Sequence, residues 1–159
     1  MARRFVCSVT LVFVTFLCCL AAPKKPESDV AVIVHPGVGE TDLALGEIRR
    51  LLLGDRQFWP SGQRVTLMIR APVARERDVV LKKIYQMSES QFRQYWIAKV
   101  FRAEAVAGPK IVYSNAMATQ LVRAIPGSIS FVSAENVPPG VKVLRIDGRL
   151  PGEAGYPLR

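Results

Sequence analysis

The sequence predicts a single α/β domain, a mixed and mostly parallel sheet flanked by helices, behind an N-terminal export segment. Three observations carry this. Short β-branched runs alternate along the chain with stretches of helical period, the pattern of an α/β layout. All three cysteines, Cys7, Cys18 and Cys19, lie in one apolar run near the N-terminus, so the rest of the chain must hold together by its core, without disulfides. The length that follows this run is one domain's worth, enough to bury such a core.

The N-terminus reads as a secretory signal peptide. Arg3 and Arg4 precede an uncharged run from Phe5, which leaves through the small residues Ala21 and Ala22 and breaks at Pro23. Cleavage is expected after Ala21, giving a signal peptide over residues 1–21, a flexible leader over 22–29 and the domain over 30–159. Two rivals stand beside it. The run nears the roughly 20 residues of a bilayer span, so an uncleaved segment would anchor the chain to the membrane. Lipoprotein processing fits less well, because Cys18 follows Leu17 and Cys19 follows Cys18. The expected location is periplasmic or secreted.

The chain carries 22 Lys+Arg against 13 Asp+Glu, a net charge of +9. A basic surplus suits an anionic ligand, an acidic surface or simply solubility. Nucleic acid is set aside, because the chain is read as exported and shows no basic stripe interleaved with aromatics.

The elements follow in order. The continuous apolar run 30–34 is a buried strand, closed by Pro36-Gly37. Residues 45–53 form a helix with Leu45, Ile48, Leu51 and Leu52 on one face, stopped by Gly54. Phe58-Trp59-Pro60 leads into the Ser61-Gly62 turn, then a strand over 65–69 that ends at Arg70. A helix spans 75–85. Ser88, with Gln91 three residues on, caps the next one. Its stripe of Phe92, Tyr95, Trp96 and Val100 reads as a core face. Ser114 caps a helix over 115–124, stopped by Pro126-Gly127. Strands follow over 128–132 and 141–146, separated by the loop 137–140.

Four of these segments, in this order, resemble the substrate-binding proteins of ABC-type phosphate transporters. The first is Val32-Ile33-Val34-His35-Pro36 with the helix that closes on Leu52-Leu53-Gly54; the family has Asn-Pro after the strand and Ile-Phe-x-Gly at the helix end. The second is Phe58-Trp59-Pro60-Ser61-Gly62-Gln63. The third, Pro126-Gly127-Ser128-Ile129-Ser130-Phe131-Val132, is similar to Pro-Gly-Ala-Ile-Gly-Tyr-Val. The fourth joins Ile146-Asp147-Gly148, Pro151 and Tyr156-Pro157-Leu158. The resemblance covers residues 30–159 and implies a single periplasmic-binding-protein-like lobe, the second of the two that full-length relatives close around their ligand.

The resemblance also implies a site. The family's second lobe binds phosphate with an arginine at a strand end and a Ser-Gly-Thr triplet starting four residues later, at a helix start. A guanidinium makes forked, charge-assisted bonds to oxyanions, and a helix start offers unpaired N–H groups. Arg70 takes the arginine's place. Ala74, Arg75 and Glu76 take the triplet's. The hydroxyls are lost, Glu76 adds a negative charge, and Arg75 or Arg77 could add a positive one. The expected ligand-binding set is Arg70, Ala74, Arg75 and Glu76, for phosphate or another oxyanion bound weakly or in altered form.

Other functional classes find less support. His35 is the only histidine and reads as a turn residue rather than a metal ligand. Ser114-Asn115 reads as a helix cap rather than a nucleophile. The chain is expected to be no enzyme and to need no cofactor or metal. The alternative to solute binding is a periplasmic interaction module that has lost its ligand, with an envelope protein or an ABC permease as partner.

Overall fold

The computed structural model describes residues 28–159, so the expected signal peptide and nearly all of the leader lie outside the described residues. Strand β1 (Val30–Val34) is buried along its whole length, which explains its unbroken apolar sequence. Val30, Val32 and Val34 face the larger core, and Ala31 and Ile33 the smaller one on the other side of the sheet. Just before β1, Ser28 pairs with the Ser133 hydroxyl and the Asp29 carboxylate accepts from the Gly152 N–H, so these two residues pack with the domain.

The remaining elements are β2 (Asp42–Leu43), α1 (Leu45–Leu52), β3 (Thr66–Arg70), α2 (Arg75–Val80), α3 (Glu89–Phe101), β4 (Lys110–Val112), α4 (Asn115–Ala124), β5 (Ser128–Ser133), β6 (Lys142–Val143) and β7 (Arg145–Ile146). The main sheet has the order β4-β3-β5-β1-β6. β3 pairs in parallel with both β4 and β5. β1 runs antiparallel to β5 and β6, so it alone opposes the other four. The larger core holds Ile69, Ile129 and Phe131 against α1, the α2 region and α3. The smaller one holds Met68, Val112 and Val132 against Ala118 and Val122 of α4.

The helix expected over 75–85 is continuous but changes character. Its second half, Leu81–Tyr85, is a π-helical turn that ends on Gln86 in the left-handed region (φ 57°). Such turns widen the backbone and re-aim side chains. Here the turn buries Leu81, Ile84 and Tyr85. In α3, Ser88 and Gln91 form the expected reciprocal cap.

Two expectations are corrected. Val100 is 40% exposed, and Lys99 takes the buried place instead. Its ammonium donates to the Leu53 carbonyl, the Asp55 carboxylate and the Tyr95 hydroxyl, which offsets the cost of burying it. The strand expected over 141–146 divides in two. β6 pairs with β1, whereas β7 pairs with β2 in a separate two-stranded sheet. Leu144 sits between them, buried, with its N–H on the Val32 carbonyl. The next N–H, of Arg145, goes to Thr41 instead. The chain changes partner at that peptide, and a run of apolar residues does not announce it.

Two buried phenols tie distant segments together, one within the middle of the domain and one between its two ends. The Tyr85 hydroxyl donates to the Leu52 carbonyl at 2.9 Å, and that of Tyr156 to the Val30 carbonyl at 2.8 Å. Burial pushes both well above the ordinary tyrosine range. Burial works against the charge of Lys99, but the hydrogen bonds it donates to Asp55 and Tyr95 outweigh it and raise its pKa. All three groups hold their protons more tightly folded than unfolded. Their contribution is therefore complete below about pH 10, the unfolded tyrosine and lysine range, and is lost as pH climbs above it. Far-ultraviolet circular dichroism is expected to show stability falling steadily above about pH 10, with tyrosinate absorbance from the buried rings rising only as the fold melts. Stability that stays flat through pH 11.5 would contradict this account.

Candidate functional site

Parallel strands β3 and β4 end side by side, with Arg70 opposite Val112 in register. From β3 the chain passes over one face of the sheet to β4, and from β4 over the other face to β5, on the far side of β3. Open α/β sheets bind ligands where such connections diverge, beyond the carboxyl ends of the strands. Arg70, the start of α2 and the start of α4 all lie at that end.

Arg70 is the last residue of β3 and only 8% exposed. Its Nε and Nη1 atoms are buried and no hydrogen bond reaches them. Glu76, equally buried, faces it: Oε2 stands 3.7 Å from Arg70 Nε, at ion-pair distance but beyond a hydrogen bond. The other carboxylate oxygen of Glu76 accepts from Asn115 Nδ2 at 3.2 Å. Asn115 opens α4, where the Ser114 hydroxyl caps the helix by accepting from the Met117 N–H. Glu76 thus lies beside the strand-end arginine, held there by the neighbouring helix start.

The other expected residues fall differently. Ala74 is the N-cap of α2 and brings no side-chain cap. The Arg75 guanidinium donates to the Ser28 carbonyl at 2.5 Å. Arg77, considered from sequence as added charge, is not available to a ligand. It is 3% exposed and forks onto the Glu89 carboxylate at 2.8 and 2.9 Å, while Nη1 donates to the Arg70 carbonyl at 2.7 Å. It also stacks over the Phe92 ring at 4.9 Å. Arg77 therefore fixes the backbone that carries Arg70, a role that sequence spacing alone did not show. Asn115 and Glu89 were missed as site residues for the same reason: their partners lie far along the chain. His35 accepts from the Gly37 N–H at 2.9 Å, as a local turn residue does.

Comparison with solved structures places the fold. A Clostridium perfringens protein described as a phosphate ABC transporter substrate-binding protein, with bound phosphate, superposes with TM-score 0.62 at 18% identity, over 76% of this chain and 46% of that one. An ABC-type phosphate transport receptor from Vibrio cholerae gives TM-score 0.63 at 17% identity, over 78% and 48%. The chain has the fold of one half of such a binding protein. PstS from Borrelia burgdorferi agrees, with TM-score 0.61 at 12% identity over 78% and 49%. The chain thus spans about half the length of these neighbours. No family model and no curated protein matches the sequence. Among the described residues, no helix of the lobe is long and apolar enough to cross a membrane.

Proposed function

We propose that this chain is an exported, periplasmic or secreted solute-binding-protein-like lobe related to phosphate transport, whose oxyanion site at Arg70 persists in weakened form. The observation that supports it is the Arg70 guanidinium, buried at the carboxyl end of β3 with two nitrogens that no hydrogen bond reaches. A buried cation in that state favours an oxyanion strongly. Glu76 weakens the site. Its charge repels an incoming anion by about 4 kcal/mol at ~4 Å and an effective dielectric of ~20. The binding set is Arg70 with backbone from the Ala74–Arg75 turn, and Glu76 is the resident competitor.

Titration calorimetry of the full chain with phosphate and sulfate tests this. Heat that saturates in the millimolar range is expected, and Arg70→Ala is expected to abolish it. Absence of heat at tens of millimolar, or unchanged affinity in Arg70→Ala, would sink the reading.

A second reading, an envelope interaction module, draws on the same end of the sheet. Val73, in the loop after β3, is 98% exposed and sits in the left-handed region at φ 68°, a strained position for a β-branched residue. Tyr113, in the adjoining loop after β4, is 73% exposed. An envelope protein or a permease that docks there should co-elute with the chain, and lose it on Tyr113→Ser. A chain that elutes alone from envelope extracts counts against this reading.

A further inference from the structure

A cleft of about 230 Å³ opens at the end of the sheet opposite Arg70, beside the first residues of β3 and β4. Leu51 of α1, Leu67 of β3 and Trp96 of α3 give it apolar walls. Its lining includes Arg56, Arg64 and Lys110 and no carboxylate. Acidic residues close by in the chain are already engaged: Asp55 with Lys99 at 2.5 Å, and Glu104 with Arg102 at 2.7 Å. Arg56 donates to the Phe58 carbonyl and stands 4.0 Å from Glu40. Among the described residues, the side chains of Arg64 and Lys110 make no hydrogen bond or ion pair.

We infer that this cleft binds a small organic anion with an apolar body, a single ring or branched chain bearing one carboxylate. Apolar walls bury the body, in proportion to the area they remove from water. Two uncompensated cations at the rim focus positive potential on the mouth and orient the carboxylate outward, toward the Arg64 fork. The volume lies below the roughly 300–1,000 Å³ of drug-sized pockets, which suits one ring and excludes a nucleotide or a folded peptide. The residues are distinct from those at Arg70, so this inference stands or falls independently of the oxyanion site.

Two-dimensional NMR of the full chain, titrated with sodium benzoate, tests it. The Gly108 amide and the Trp96 indole N–H, both from lining residues, are expected to shift and saturate in the millimolar range. Benzyl alcohol, with the same ring and no charge, is expected to bind at least tenfold more weakly. Arg64→Glu with Lys110→Glu should weaken benzoate at least tenfold and leave benzyl alcohol unchanged, whereas Arg70→Ala should change neither. Both charges are on exposed residues; if the double variant fails to fold, Lys110→Gln alone should weaken benzoate about threefold. Ala107→Phe, which fills the cleft, should reduce both ligands. Equal affinity for benzoate and benzyl alcohol, the absence of saturable shifts, or shifts centred on Arg70 would overturn the inference.

Discussion

Gly127→Ala is expected to destabilise the domain by roughly 3–5 kcal/mol, the sum of a strained backbone and an overpacked contact. Gly127 lies between α4 and β5 at φ 72°, a conformation that L side chains rarely adopt. A Cβ there would fall 2.2 Å from the Arg64 carbonyl oxygen, a backbone atom that cannot swing aside. The clash cannot be relieved locally, because the Gly127 carbonyl accepts two bonds. One comes from the Trp59 indole N–H at 2.9 Å and the other from the Thr66 N–H at 3.1 Å. Any shift of Gly127 therefore loosens a fully buried tryptophan and the first residue of β3 together. Thermal melting should show a midpoint lower by on the order of 10 °C, with tryptophan emission moved to the red. A midpoint within 2 °C of the parent would show that this turn is more pliable than its contacts indicate.

That turn also shows what could be read from the chain. Pro126-Gly127 and Phe58-Trp59-Pro60 were legible as separate signatures, a helix stop and a turn. Their joining through the Trp59 indole was not, because nothing local in either segment refers to the other. The same holds across the fold. Strand β1 is legible because both its faces are covered and its apolar run is unbroken, and β5, whose buried serines interrupt its apolar residues, is legible from the Pro126-Gly127 stop that precedes it. The Ser88 and Ser114 caps are legible because capping is settled within four residues. Strand β4 escapes because it has three residues, two of them exposed, and exists only through its pairing with β3. At the candidate site, the position of Arg70 follows from the strand that ends there. The use of Arg77 does not. Two cations spaced seven residues apart look equivalent in sequence, yet one is consumed by Glu89 and the other is left facing Glu76. Only the packing of α3 against the α2 turn distinguishes them.

Removing the charge of Glu76 should convert a self-answered site into one that depends on an anion. Glu76→Gln keeps the size of the side chain and a partner for Asn115, but leaves the Arg70 guanidinium buried without a counter-charge. Breaking a buried pair from one side typically costs about 3–5 kcal/mol. The 3.7 Å separation makes this pair a loose one, so about 2 kcal/mol is the expected loss in phosphate-free buffer. The variant should then recover that loss as phosphate is added. An anion that binds only the folded state stabilises it by RT ln(1 + [L]/Kd), about 2.7 kcal/mol at a hundredfold excess over Kd. Affinity should rise at least tenfold over the parent, since the repulsion from Glu76 is gone. Glu76→Ser opens space beside Arg70 and places a hydroxyl near the start of α2, and should bind more tightly still. Melting curves at 0 to 50 mM phosphate, at constant ionic strength, read both effects at once. If the Gln and Ser variants lose stability and phosphate does not restore it, the Arg70–Glu76 pair is a structural strut, and the lobe acts through its exposed Val73 and Tyr113 surface instead.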